Sequence, residues 1–182
     1  LQYRHIGYKI NGTNDNYDWN NSGMQALKVD DNFNFFNPKF GLNWQINLKN
    51  RIYASFSVAQ KEPTRNNYTD GMADRYPRSE RLNDYELGYV YANRWLSVGA
   101  NLYYMDYKDQ LVLTGELNEI GEAMAENVPD SYRSGIELMF GVKPCKQFDW
   151  NINATLSRNR IKNFTETLYE DEDNTKSHWT IN

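Results

Sequence analysis

The chain has 182 residues, with 20 Lys and Arg against 24 Asp and Glu and a mean hydropathy of −0.85. The basic residues are scattered and the formal net charge is −4, which argues against nucleic acid as a partner. One cysteine, Cys145, excludes an internal disulfide, a cysteine-based zinc site and a CxxC redox pair. Apolar runs fall far below the roughly 20 residues of a membrane-spanning helix, so any membrane crossing has to use strands.

The first forty residues carry a weak pattern, which predicts a strand at 3–10 followed by a long loop through Asn37. Strict alternation of apolar and small polar residues then begins and runs over 40–48, which predicts a strand. The alternation resumes over 52–58 after only a few residues, so the two segments predict a hairpin with a tight turn.

A polar loop at 62–81, interrupted by proline and glycine, separates this hairpin from the next. The same rhythm of strand, short turn and strand follows twice more, with strands at 85–91, 96–104, 136–142 and 148–156. A second polar loop is predicted at 109–131, and an acidic loop at 166–174 precedes a strand starting near His178. The fold class is therefore all-β, an antiparallel meander of about eight strands.

Short turns and long loops fall on alternate connections, which favours a transmembrane barrel whose two ends face different compartments. The polar positions of the strands are mostly Asn, Gly, Ser and Thr, which suit a crowded lumen. The other face is aliphatic or aromatic, with Tyr91, Phe148 and Trp150 near short turns and Tyr85 and Tyr104 near long loops. A soluble β-sandwich shares the alternation and stays open as an alternative.

Three blocks of the sequence carry longer motifs, and together they span roughly residues 35–164, about two-thirds of the chain. The segment 80–88, ending in Tyr-Glu-Leu-Gly, and the following strand at 102–111 form the most specific block. A later block consists of Asn127 followed along the chain by Gly-Ile-Glu-Leu at 135–138. The segment 54–65 is similar to a strand ending in an aromatic-basic-Ala-Pro motif, but Gln-Lys-Glu-Pro stands here instead. In this order the three blocks resemble the C-terminal half of TonB-dependent receptor barrels.

The resemblance implies part of a 22-stranded barrel in the outer membrane of a Gram-negative bacterium. Residues 1–182 are then a partial barrel domain, without the plug domain and without the closing C-terminal strand. The implied function is receptor-mediated uptake of a scarce nutrient: siderophore-bound iron, haem, cobalamin or a glycan. Partners are the imported small molecule, outer-membrane lipid and, through the plug, the energy-transducing TonB complex. No catalysis and no cofactor are expected, and an isolated piece is expected to self-associate through its apolar face.

Two other functions fit parts of the sequence. A secreted carbohydrate-binding β-sandwich would use exposed Trp and Tyr and would bury its apolar faces against each other. A barrel enzyme with a Ser-His dyad would need His5 or His178, although no nucleophile motif is present. The carboxylates at 15–18, 30–31 and 170–173 lack the spacing of a calcium loop and are interpreted as solvated charge, so no metal site is predicted.

The polar loop after Lys61 is the candidate ligand-contact region, because external loops carry recognition in such barrels. Arginine, amide and phenol groups suit either an anionic metal chelate or a sugar. The predicted ligand-contact residues are Arg65, Asn66, Asn67, Tyr68 and Asp70. Three glutamates near the strands are expected to have structural roles in the wall, pairing with Arg or Lys; these are Glu80, Glu86 and Glu137.

Overall fold

The computed structural model describes residues 1–18, 23–69, 76–117, 121, 123–162, 164–169 and 176–181. These residues form ten antiparallel strands and one short helix. The elements are β1 (Gln2–Asp18), β2 (Gly23–Asn37), β3 (Lys39–Asn47), β4 (Asn50–Lys61), α1 (Arg65–Thr69), β5 (Glu80–Ala92), β6 (Leu96–Leu117), β7 (Ala123–Cys145), β8 (Phe148–Ile161), β9 (Phe164–Tyr169) and β10 (Lys176–Ile181). Within the described ranges no helix has the length and apolar character needed to cross a bilayer.

Six of the strands, β3 to β8, form one sheet in which each strand pairs with the next along the chain. β1 pairs with β2, and β9 pairs with β10, as separate hairpins. Three tight turns, between β3 and β4, β5 and β6, and β7 and β8, lie at one end of the six-stranded sheet, which we call the short-turn end. α1 and the polar connection from β4 to β5 lie at the opposite, long-loop end. The predicted antiparallel meander is confirmed.

The register explains why these segments form one sheet, since apolar residues meet apolar residues across every pair. Cross-strand partners share a face, and one row runs through Leu42, Ala54, Leu87, Leu102, Ile136 and Leu156. The end members of this row are 70% exposed at Leu42 and 69% exposed at Leu156. No second sheet covers this face in the part of the chain that the structure describes, which contradicts the β-sandwich alternative.

Aromatic rings border the apolar face at both ends. At the long-loop end Phe56, Tyr85, Tyr104 and Tyr132 form a chain of rings with successive centroids 4.9, 6.4 and 5.9 Å apart. At the short-turn end Phe140 meets Trp150 edge to face at 6.4 Å. The eight residue steps from Leu96 to Tyr104 advance a strand by about 27 Å. With the usual tilt, the apolar band therefore has about the height of a bilayer core.

The predicted loop at 109–131 is wrong, because β6 and β7 continue as a long paired hairpin into that region. Gln110 pairs with Val128 and Leu113 with Ala125, beyond the aromatic rings. This part of the hairpin lies outside the apolar band, and its buried residues are mixed: Met124 and Val128 are apolar, whereas Thr114 and Ser131 are polar. Backbone hydrogen bonds hold the pairing without the alternation on which the prediction depended.

The predicted long loop through Asn37 is also wrong, because β2 occupies that region and pairs with β1 from Gly23 to Asn37. Strand β2 ends where Pro38, which has no backbone N–H, interrupts the path into β3. The start of the predicted acidic loop belongs to β9, and residues 170–174 lie outside the described residues. The strand predicted near His178 is confirmed as β10.

Candidate ligand-contact surface and inner wall

Four of the five predicted ligand-contact residues, Arg65, Asn66, Asn67 and Tyr68, lie on helix α1 in the connection from β4 to β5. Thr64 takes the N-cap position, and its backbone N and Oγ1 donate to Asn67 Oδ1 at 2.8 and 2.7 Å. A side chain at the third helical position that accepts from the cap N–H is half of a capping box. The sequence Thr-Arg-Asn-Asn therefore starts one helical turn, and Asn67 has a structural role in it.

Tyr68 lies at the centre of a cluster that fastens α1 to the β1–β2 hairpin. Its ring is 5% exposed and stacks on Tyr8 with centroids 5.3 Å apart. Tyr68 and Tyr76 both donate their hydroxyl hydrogens to Asp31 Oδ2, at 2.9 and 2.8 Å. We call Tyr8, Tyr68, Tyr76 and Asp31 the tyrosine cluster.

Burial and the hydrogen bond to Asp31 both favour the protonated phenols of the tyrosine cluster. Burial is the larger cause, and it raises the pKa of Tyr68 far above its usual value. The same two causes raise the pKa of Tyr76 to about 12. Both hydroxyls therefore remain donors through the physiological pH range, so the attachment of α1 does not titrate there.

The first residues of the loop are held by β1 and β2 as well. Arg4 Nη2 lies 2.6 Å from Glu62 Oε2 and donates to the Gln60 carbonyl at 3.2 Å. Gln60 Nε2 donates to the Phe36 carbonyl at 3.0 Å, and Pro63 is fully buried. These contacts place the loop firmly beside the β1–β2 hairpin.

The structure separates the predicted site residues into two groups. Arg65 and Asn66 are adjacent and exposed on α1. Asn67 is half-buried and bound to Thr64, while Tyr68 is buried and bound to Asp31. Asp70 lies outside the described residues. Of the four predicted residues that the structure describes, only Arg65 and Asn66 therefore present exposed side chains.

Asn127 attaches the end of the same loop to the β6–β7 hairpin. Its Oδ1 accepts from the Arg78 backbone N at 2.7 Å, and its Nδ2 donates to the Arg78 carbonyl at 3.0 Å. Nδ2 also donates to the Asp109 carbonyl at 2.6 Å. Arg78 Nη2 lies 2.6 Å from Asp109 Oδ1. The side-chain amide thus acts as a strand partner for Arg78, a role that the motif containing Asn127 does not reveal.

The inner, polar face of the sheet carries an open hollow of ≈ 310 Å³. Ser55 Oγ donates to Glu86 Oε2 at 3.2 Å, and Asn101 Nδ2 donates to Glu137 Oε2 at 3.4 Å. The carboxylates therefore face the inner side and accept from neutral groups. Glu80, farther toward the long-loop end, pairs with Lys61 at 3.9 Å. The hollow is lined by Glu86, Asn101, Tyr103, Met105, Arg133, Glu137, Ser157 and Asn159.

Two tyrosine rings on the inner face lie directly over glycines of the neighbouring strand. Tyr53 is the cross-strand partner of Gly88, and a Cβ there would collide with the Tyr53 ring. Tyr103 is the partner of Gly135, where a Cβ would lie 2.6 Å from Tyr103 Oη and 2.5 Å from the Leu156 carbonyl oxygen. Glycine is therefore required at both positions for close approach of the rings to the sheet.

The residues considered for other chemistry have structural surroundings. His5 Nδ1 lies 2.8 Å from Asn34 Oδ1, and the side chain of His178 lies outside what is described. Asp30 pairs with Lys9 at 3.1 Å. In the described ranges no group of three or more His, Cys, Asp or Glu side chains is arranged to hold a metal ion.

A single antiparallel sheet with an exposed apolar face between two sets of aromatic rings and a polar opposite face defines a segment of a β-barrel wall. The model of the family "TonB dependent receptor-like, beta-barrel" matches residues 2–181. The chain belongs to this family, whose members are outer-membrane receptors and transporters of Gram-negative bacteria. The predicted resemblance is confirmed. A comparison with characterised protein sequences gives no significant match.

Solved structures share the fold at low sequence identity. The FrpB iron transporter from Neisseria meningitidis (F3-3 variant) is 20% identical, with a TM-score of 0.56 over 74% of this chain and 20% of that structure. The siderophore receptor PirA from Pseudomonas aeruginosa is 17% identical, with a TM-score of 0.61 over 76% and 28%. The copper transporter OprC is 14% identical, with a TM-score of 0.63 over 77% and 23%. This chain therefore spans between 20% and 28% of the length of these structures.

Proposed function

We propose that this chain forms one sector of the wall, with its external loops, of a transporter that takes up a scarce nutrient across the outer membrane. The observation that carries the proposal is the two-sided sheet: an apolar face of bilayer height on one side and a polar, hollowed face on the other. A soluble domain would cover the apolar face, and a membrane anchor would not need the polar one. No catalytic step is assigned to this chain.

The complete barrel that we propose has 22 strands, encloses a plug domain and receives energy through the TonB complex. The edge strands β3 and β8 support a barrel larger than this sheet, because each is paired on one side only within the described residues. An unpaired edge inside a bilayer is unfavourable by several kcal/mol for each unsatisfied group. Further strands of the same barrel would satisfy both edges. A piece isolated from such a barrel would self-associate through the same edges and face.

The ligand-contact surface that we propose is centred on Arg65 and Asn66, with Asn67, Tyr68 and Asp70 in the same segment. The fixed attachment of α1 supports it, since a rigid support limits the entropy lost when a ligand binds. Arg65 offers a planar, permanently charged donor set suited to carboxylate or catecholate oxygens. Among siderophore-bound iron, haem, cobalamin and glycans, a negatively charged metal chelate is the first cargo to test, since the similar structures named above handle iron and copper.

The full-length natural protein tests the membrane placement first. Cells are fractionated, and the outer-membrane fraction is run on gels with and without heating, because folded barrels migrate differently from unfolded chains. Recovery in the outer membrane with a heat-dependent shift supports the proposal. Recovery as a soluble protein overturns it.

Uptake of a ferric siderophore is then measured in cells with and without a protonophore, which removes the proton gradient. The proposal predicts accumulation that requires both the protein and the gradient. Arg65→Ala is expected to weaken binding about tenfold or more, by loss of a charge-assisted hydrogen bond, whereas Lys28→Ala on β2 serves as the matched control. Equal losses of ligand binding in the two variants would show that α1 is not part of the ligand-contact surface.

A further inference from the structure

The short-turn end carries a concentration of positive charge that the transport function does not explain. We define the short-turn rim as residues 47–51, 92–96 and 143–149. It contains five basic residues, Lys49, Arg51, Arg94, Lys143 and Lys146, and one acidic residue, Asp149. The rim therefore has a formal charge of +4 in a chain whose total is −4, and the rest of the chain has a charge of −8.

Backbone hydrogen bonds join the three turns of the rim side by side. Ala92 N donates to the Lys49 carbonyl at 2.8 Å, and Lys143 N donates to the Trp95 carbonyl at 2.7 Å. Asn93 Oδ1 accepts from the backbone N of Trp95 and of Leu96, at 2.9 and 2.8 Å, which fixes the middle turn. The basic side chains are therefore attached to turns whose backbones are held in place by hydrogen bonds.

Two of these turns enclose a hollow of ≈ 320 Å³. Lys143 Nζ lies 3.2 Å from Asp149 Oδ2, so one of the cations lining the hollow is neutralised within the rim. Arg94 and Lys146 have no acidic counterpart within the rim, because Asp149 is its one carboxylate. An anion is the ligand that this balance favours. The lining residues are Arg94, Trp95, Lys143, Pro144, Cys145 and Lys146.

The hollow borders the apolar face of the sheet. Cys145 is the cross-strand partner of Phe148, and partners share a face, so Cys145 lies on the side of Phe148 and Trp150. Trp95 in the same hollow is 53% exposed. Indole rings at the border of an apolar band occupy the headgroup layer of a membrane. An anion bound here can thus be attached to chains that run along the apolar face.

We infer that the short-turn rim binds the phosphate of an anionic phospholipid, between Arg94 and Lys146, with the acyl chains against the apolar face. The inference rests on the proposed function, because the rim lies at a headgroup layer when the apolar band lies in a bilayer. A free phosphate would gain only the charge contacts, whereas the lipid gains the apolar contact as well. The occupant is therefore lipid from the leaflet on the short-turn side.

The test uses the full-length protein, purified from the outer membrane and mixed with equal amounts of phosphatidylglycerol and phosphatidylethanolamine. Native mass spectrometry measures which lipid the protein retains. Retention of phosphatidylglycerol is expected to fall roughly fivefold for each cation removed in Arg94→Gln/Lys146→Gln. The matched control is Lys9→Gln/Lys28→Gln, which removes two exposed cations from the β1–β2 hairpin and is expected to leave lipid retention unchanged.

Three results would overturn the inference: equal retention of both lipids by the unaltered protein, equal losses in the two double variants, or displacement of the lipid by an equal concentration of inorganic phosphate. Each preparation is also scored for the heat-dependent gel shift. A protein that shows the shift and no lipid preference contradicts this inference alone. A protein that lacks the shift and is absent from the outer membrane contradicts the proposed function.

Discussion

Substitution of Ile152 by arginine is expected to discriminate between the two faces of the sheet. Ile152 is the central residue of the apolar run on β8, four positions from both Phe148 and Leu156. Four residues of a tilted strand correspond to a depth of about 10 Å, beyond the easy reach of a snorkelling guanidinium. Arginine at the bilayer midplane is unfavourable by about 2–4 kcal/mol, which shifts a folding equilibrium roughly 30- to 1,000-fold.

Two matched variants identify the cause of that loss. Asn153→Arg places the same side chain one residue away on the inner face and is expected to change stability by less than about 1 kcal/mol. Ile152→Trp adds volume on the outer face and is expected to be similarly mild, because lipid chains yield, whereas a packed protein core would lose about 1–3 kcal/mol.

The assay follows the urea concentration at which the full-length protein in lipid vesicles loses its heat-modifiable form. A large downward shift is expected for Ile152→Arg alone. Equal shifts for the arginine variants at 152 and 153, or a large shift for Ile152→Trp, would show that β8 does not face lipid.

Three further predictions concern contacts outside that face. Asn127→Ala removes three hydrogen bonds of about 1 kcal/mol each. Amide hydrogen exchange is expected to become faster at Arg78 and to stay unchanged in β4. Unchanged exchange at Arg78 would show that the Asn127 side-chain amide does not hold the loop. Gly88→Ala is expected to be rescued by Tyr53→Ala, since the three nearest atoms all belong to the Tyr53 side chain. Gly135→Ala in a Tyr103→Ala background is expected to stay destabilised by the Leu156 carbonyl oxygen. Full rescue at both positions would refute this difference. Burial raises the pKa of the Glu80 carboxyl, so its stabilising contribution is complete below about pH 4.5 and declines as the pH rises through the higher folded value. Glu80→Gln is expected to flatten this dependence in urea unfolding, and a steeper decline would contradict the assignment.

The sequence predicted the strands well where a membrane would constrain them. Every strand segment with strict alternation, from 40–48 to 148–156, lies in the six-stranded sheet with the predicted neighbours and tight turns. In this band one face must be apolar and the other polar, so the period of two appears in the residues themselves. The alternation therefore assigns the outward and inward faces from the sequence alone.

Outside the apolar band the strands lack this alternation, so the sequence did not predict β2 or the outer parts of β6 and β7. These segments are paired, but only scattered apolar residues are buried there, among them Val29, Phe35, Met124 and Val128, so no strict alternation of apolar and polar residues appears in the sequence. The roles of Tyr68 and Asn127 were unpredictable for a different reason. Their partners, Asp31 and Arg78, are 37 and 49 residues away in sequence, and only the folded arrangement brings them together.

The tyrosine rings that lie over Gly88 and Gly135 also affect the surface shape of the inner wall. A bulky side chain normally projects from a sheet, and a glycine leaves the space above it empty. Here each tyrosine ring lies in the space above the glycine of the neighbouring strand, so these two large inward side chains project little from the surface. A body enclosed by this wall would meet these two rings at their flat faces and not as projecting side chains.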